Sequence, residues 1–143
     1  MTGDAERIKA LRQRSGKSVD HVASLTGLGI HAYCDVESYD DELRTVLSLG
    51  QVRRLAEVLG VRTSALFLDE PHEIEQRISY SQLVALVEAQ FASGIGREAF
   101  EQDIGWDLSG FFKDEERLLS DYNVEFLQEL CPRLGVEWIV ALP

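Results

Sequence analysis

The chain has 143 residues, of which 45% are hydrophobic and 27% charged, and a formal net charge of −11 at pH 7. That is enough chain to bury a core as one ordinary domain or two small ones, it is too apolar for a disordered segment, and no apolar run approaches the length of a membrane span. Residues 1–69 carry nine Lys/Arg against ten Asp/Glu, whereas residues 70–143 carry five against fifteen, so the second half makes a poor surface for a polyanion and the first half remains open to that role. The opening residues, Met1-Thr2-Gly3-Asp4-Ala5-Glu6, hold no basic region followed by an apolar stretch, so no signal peptide is expected. Cys34 and Cys131 lie far apart in segments that read as helical, the pattern of reduced thiols in a cytoplasmic protein.

In chain order, the first helix is expected from Asp4 to Arg14, with Ile8 and Leu11 inward and Arg7, Lys9, Arg12 and Arg14 around them. Ser15-Gly16 closes it, and Ser18 is a good N-cap for a second helix from Val19 to Leu25. Gly27 stands where a tight helix-to-helix turn needs a positive φ, and a third helix follows from Gly29 to about Ser38. Val22, Ala23, Leu25, Tyr33 and Val36 then form the buried side of this pair. Tyr39 to Thr45 reads as a polar, acidic connection. Ser48 and Gln51 make a capping box at the head of a fourth helix, Leu49 to Leu59, with Val52, Leu55 and Leu59 on one face and Gly60 at its end. Thr63 is expected to cap a short fifth helix, Ser64 to Leu68, and Pro71 marks a linker over residues 70–75.

Residues 76–143 repeat the first half weakly. At an offset of 75, Ile8 and Leu11 fall on Leu83 and Leu86, and Val52, Leu55 and Leu59-Gly60-Val61 fall on Leu127, Leu130 and Leu134-Gly135-Val136. In the middle the offset becomes 78, which sets Val22, Gly27 and Tyr33 on Phe100, Gly105 and Phe111, with extra residues near Ser93-Gly94-Ile95-Gly96. Pro132 falls inside the last long helix and is expected to kink it.

Over residues 5–69 the pattern resembles the Xre-type helix-turn-helix family, the Cro and lambda-repressor-like fold of five short helices. The residues that carry the resemblance are Arg12, Ser18, Ala23, Gly27, Glu37 and the run Leu55-Ala56-Glu57-Val58-Leu59-Gly60-Val61. It implies an ion pair between Arg12 and Glu37. It also implies a third helix lying in the DNA major groove, so that Gly29, Ile30, His31 and Asp35 face base edges while Ser18 and Val19 lie against phosphate. Arg14, Lys17 and Arg44 are the cations expected to hold phosphates. The chain departs from the family pattern at three places. Val19 stands where the family usually carries Gln, Ile30, His31 and Asp35 stand where base readers such as Arg or Asn are favoured, and Asp40-Asp41-Glu42 occupies a link that would approach the backbone.

Other chemistries leave weaker traces. His31 and Cys34 have metal-ligand spacing, but nothing nearby completes a tetrahedral set, so no metal or other cofactor is expected; Cys34 reads as a half-buried small residue. Gly94-Ile95-Gly96 precedes a helix without a preceding strand, which fails the context of a phosphate loop, and no acid–base constellation is visible, so an enzyme is not expected. Phe91, Phe100, Trp106, Phe111, Phe112, Tyr122, Phe126 and Trp138 read as core, with one of the adjacent Phe111 and Phe112 left exposed for an interface. The acids from Glu98 to Asp107 and the run Lys113-Asp114-Glu115-Glu116-Arg117 read as a solvated face.

These observations give an all-α protein of two lambda-repressor-like domains, residues 1–69 and 76–143, the second degenerate. The leading expectation is a cytoplasmic transcriptional regulator that binds double-stranded DNA and dimerises through residues 76–143. The alternative is a protein-interaction module whose acidic half binds a basic protein or mimics DNA.

Overall fold

The computed structural model describes residues 2–69 and 76–143, so the expected linker 70–75 lies outside the described residues. Among the described residues the chain forms ten α-helices, two 3-10 turns and no strand. The first half holds α1 (Asp4–Ser15), α2 (Val19–Thr26), α3 (Ile30–Val36), α4 (Glu42–Thr45), α5 (Leu49–Leu59) and a 3-10 turn, Thr63–Leu66. The second holds α6 (Tyr80–Ala92), α7 (Arg97–Ile104), α8 (Ser109–Lys113), α9 (Glu115–Asp121), α10 (Val124–Leu134) and a 3-10 turn, Trp138–Ala141. No helix among the described residues is long and apolar enough to cross a membrane.

Local chemistry accounts for most boundaries. Ser18 Oγ accepts the His21 N–H at the head of α2, and Ser48 with Gln51 forms the reciprocal capping box at the head of α5. A second box, Ser79 with Gln82, opens α6. The turn after α2 puts Gly27 at φ 73°, a left-handed conformation that costs any other residue strain. α10 runs through Pro132 to Leu134 and closes on Gly135.

Two expected elements of the first half are corrected. The segment Tyr39–Thr45 is not irregular throughout: it contains α4, because Leu43 is fully buried and one helical turn is the shortest way to point it inward. Asp40 turns back to accept the Ala5 N–H at 3.0 Å, serving the unpaired start of α1. The expected fifth helix is the 3-10 turn Thr63–Leu66, and Thr63 does not cap it; its hydroxyl donates instead to the Pro143 carbonyl at 2.6 Å.

The buried side chains of both halves form one continuous cluster, from Ile8, Val22, Tyr33 and Leu55 to Phe111, Phe126, Leu130 and Leu142. In the second half the aromatics are largely core. Phe111 is fully buried, receives the Tyr80 hydroxyl on its carbonyl, and gives its N–H to the Tyr122 hydroxyl. Phe112 is not left exposed; it is half-buried against the core.

Candidate nucleic-acid interface

The α2–α3 pair is built on Val22, Ala23, Tyr33 and Val36, all buried, which leaves the other faces of both helices in water. The Gly29 N–H reaches the Ala23 carbonyl at 3.4 Å across the turn, and Arg54 of α5 reaches the Leu25 carbonyl at 3.3 Å from the side. The ends of the pair are held by Arg12, whose Nε lies 2.6 Å and whose Nη2 lies 3.1 Å from the two Glu37 carboxylate oxygens. This ion pair is nearly buried, and Arg12 also donates to the Lys17 carbonyl, so one guanidinium ties α1, the start of α2 and the end of α3 together. The hydrogen bond from the guanidinium to Glu37 outweighs its desolvation and raises the Arg12 pKa, keeping it charged.

The Tyr33 hydroxyl, buried beside this pair, has no hydrogen-bond partner among the described residues. Burial first, and then the Glu37 carboxylate, push its pKa well above the usual phenol value.

The outer face of α3 presents Ile30, His31, Cys34 and Asp35, with Gly29 as its N-cap at φ 82°. Ile30 is 39% exposed, and Leu25, expected on the buried side of the pair, is instead 38% exposed across the turn, since it falls off the Val22–Ala23 face of α2. Cys34 is exposed rather than half-buried, whereas Cys131 is buried and its thiol is pushed up to about 12 by desolvation. Among the described residues no group of three or more His, Cys, Asp or Glu is arranged to hold a metal ion.

The charges around this face are uneven. At the start of α2, Arg14 and Ser18 are exposed, with the half-buried Val19 and Lys17 between and beside them, and neither Arg14 nor Lys17 lies within ion-pair distance of a carboxylate among the described residues. At the far end, Asp35, Asp41 and Glu42 come together; burial, then the Asp35 and Asp41 charges, raise the Glu42 pKa. Arg44, expected at phosphate, is placed elsewhere. Its Nε lies 2.6 Å from the buried Asp4 carboxylate, and its guanidinium carbon stands 5.3 Å from both the Phe67 and Trp138 rings. Arg7 is likewise engaged, with Asp4, Asp69 and the Leu66 carbonyl.

Comparison with protein-family models, curated proteins and solved structures finds no match.

Sequence reasoning passed over Arg53 and Arg54. They lie outside the buried Val52, Leu55, Ala56 and Leu59 stripe of α5, remain substantially exposed, and make loose pairs with Glu57 at 3.9 and 3.4 Å, Arg54 also reaching the Leu25 carbonyl. The helical period of α5 contained that signal, since both fall off its apolar face. The partner that occupies Arg44 had no such signal, because Asp4 lies 40 residues away, whereas the Asp4–Arg7 pair stands at i,i+3 on α1 and was legible there.

Proposed function

We propose that residues 18–38 form a helix-turn-helix of the Xre type and that the protein is a regulator that docks α3 in the major groove of double-stranded DNA. The observation that carries this reading is the pairing of an uncovered α3 face with Arg14 and Lys17, which have no carboxylate partner among the described residues, at the Ser18-capped start of α2. Backbone N–H groups at a helix start favour phosphate, and cations beside them add to that preference. On the groove side, His31 supplies a hydrogen-bonding ring and Ile30 an apolar contact suited to a thymine methyl. Arg54, beside the turn, is a further phosphate contact in place of Arg44.

Fluorescence anisotropy with random and then selected duplex DNA tests the reading. Binding should weaken steeply as salt rises, Lys17→Ala should lower the slope of log K against log salt by about one, and Ile30→Ala or His31→Ala should alter sequence preference. Absence of binding at low salt would end this reading.

The second reading is a protein-interaction module of the same fold. It is favoured by the gathering of Asp35, Asp41 and Glu42 at the far end of the face that begins with exposed Ile30, a charge that would repel phosphate and attract a basic partner. On that reading the Lys17 substitution changes no affinity, and Asp35→Lys abolishes binding of the partner.

A further inference from the structure

The two halves share more than an order of helices. α5 (Leu49–Leu59) maps onto α10 (Val124–Leu134), and the 3-10 turn Thr63–Leu66 onto Trp138–Ala141, at one constant spacing of 75 residues. Buried Leu43 of α4 falls on buried Leu118 of α9 at the same spacing. The contacts between the halves obey this correspondence in both directions. α5 packs on α9, and α10 packs on α4, the equivalents exchanged. The Leu49 N–H donates to the Tyr122 carbonyl at 2.9 Å, and the Asn123 amide donates to the Thr45 carbonyl at 2.9 Å, within two residues of the exchanged pair Val124 and Leu47. Thr63 reaches Pro143, while its equivalent Trp138 packs edge-on at 5.3 Å against Phe67, the neighbour of Leu68, which corresponds to Pro143.

A repeat related by translation would leave one copy of each contact surface open at either end. Contacts that close on themselves, in which i meets j and the equivalent of j meets the equivalent of i, are the mark of a two-fold relation. We infer that residues 76–143 sit on residues 2–69 as a second copy sits in a symmetric dimer, so that the chain is a single-chain pseudo-dimer. The surface formed by α4, the head of α5 and the first 3-10 turn has the chain's own second half as its occupant.

The two recognition pairs of this pseudo-dimer differ. α3 is uncovered, whereas Arg97 lies across α8, donating to Ser109 Oγ at 3.1 Å with its guanidinium carbon 5.3 Å from the Phe112 ring. Resting on the DNA reading above, this gives one open recognition face per chain and a stoichiometry of one chain per binding site.

Sedimentation of the full chain from micromolar to submillimolar concentration should give a single species with the mass of one chain. Backbone NMR of Leu119→Asp, whose wild-type carbonyl lies against Gly50, and of Trp138→Ala should shift the amides of Thr45–Gln51 and Thr63–Phe67 respectively. If Leu119→Asp fails to fold, Asn123→Ala replaces it, since that amide is exposed and its loss removes only the bond to Thr45 and the cap of α10. A species of two chains, or shifts confined to residues 76–143, would overturn the pseudo-dimer. A monomer with the expected shifts that binds no DNA would leave it standing and remove only the DNA reading.

Discussion

The Tyr33 phenol is placed where its ring is needed and its hydroxyl is not. The ring is fully buried in the core, but its oxygen is enclosed with no hydrogen-bond partner among the described residues. An unsatisfied buried hydroxyl costs desolvation energy that a hydrogen bond would return, and removing it with the ring retained should be favourable. Tyr33→Phe is therefore expected to stabilise the protein by about 1 kcal/mol, seen as a higher urea midpoint at unchanged slope. A lower midpoint would mean that the hydroxyl donates a hydrogen bond to the Glu37 carboxylate. Arg12 is the opposite case. Its guanidinium is satisfied by Glu37 and the Lys17 carbonyl, so charge and geometry are used together.

At the scale of elements, the α2–α3 turn depends on one backbone conformation. Gly27 has a φ of 73° with nothing within 4 Å of where a Cβ would stand, so only strain, not crowding, opposes a side chain there. Gly27→Ala should cost roughly 1–2 kcal/mol, read from thermal unfolding. A stabilising effect, as expected where Gly merely loosens the unfolded chain, would show that the turn is not left-handed. The acidic link behaves as structure as well as surface: Asp40 serves the α1 start and Leu43 anchors α4, which leaves Asp41 and Glu42 to set the local charge.

For the whole molecule, three exposed carboxylates among the described residues have pKa values below the ordinary range. The guanidinium of Arg7 holds down Asp69, that of Arg133 holds down Asp103, and the Ser109 N–H holds down Asp107. Because these folded values lie below the unfolded ones, the stability they contribute is complete above about pH 4 and is lost as pH falls through the lowered values. Thermal midpoints recorded from neutral pH downward should show this loss only in the acid limb. In Asp103→Asn, which cannot titrate, that limb should be shallower; an unchanged limb would mean that the Arg133 contact contributes nothing. One core joins both halves, so unfolding should be a single transition at every pH.

The sequence by itself determined the all-α class, the caps at Ser18 and Ser48, the left-handed turn at Gly27, and the spacing of 75 residues that relates α5 to α10. These follow from local rules, in which a side chain within four residues decides what the backbone does. The Arg12–Glu37 pair came from the family resemblance, and its geometry came only with the fold. The tertiary structure alone decided that Arg44 faces Asp4, Phe67 and Trp138, that Thr63 serves Pro143, and that Asp40 serves α1. The hydrogen bonds among these join residues 35 or more positions apart, and Arg44 and Phe67 are likewise far beyond the reach of one helix. Helical periodicity tells which face of an element is apolar; it does not tell which distant polar group will be brought to its edge, because that depends on how the helices pack. For the same reason the matched apolar positions disclosed a repeat, while the exchange of contacts that closes its two halves on each other was written only in three dimensions.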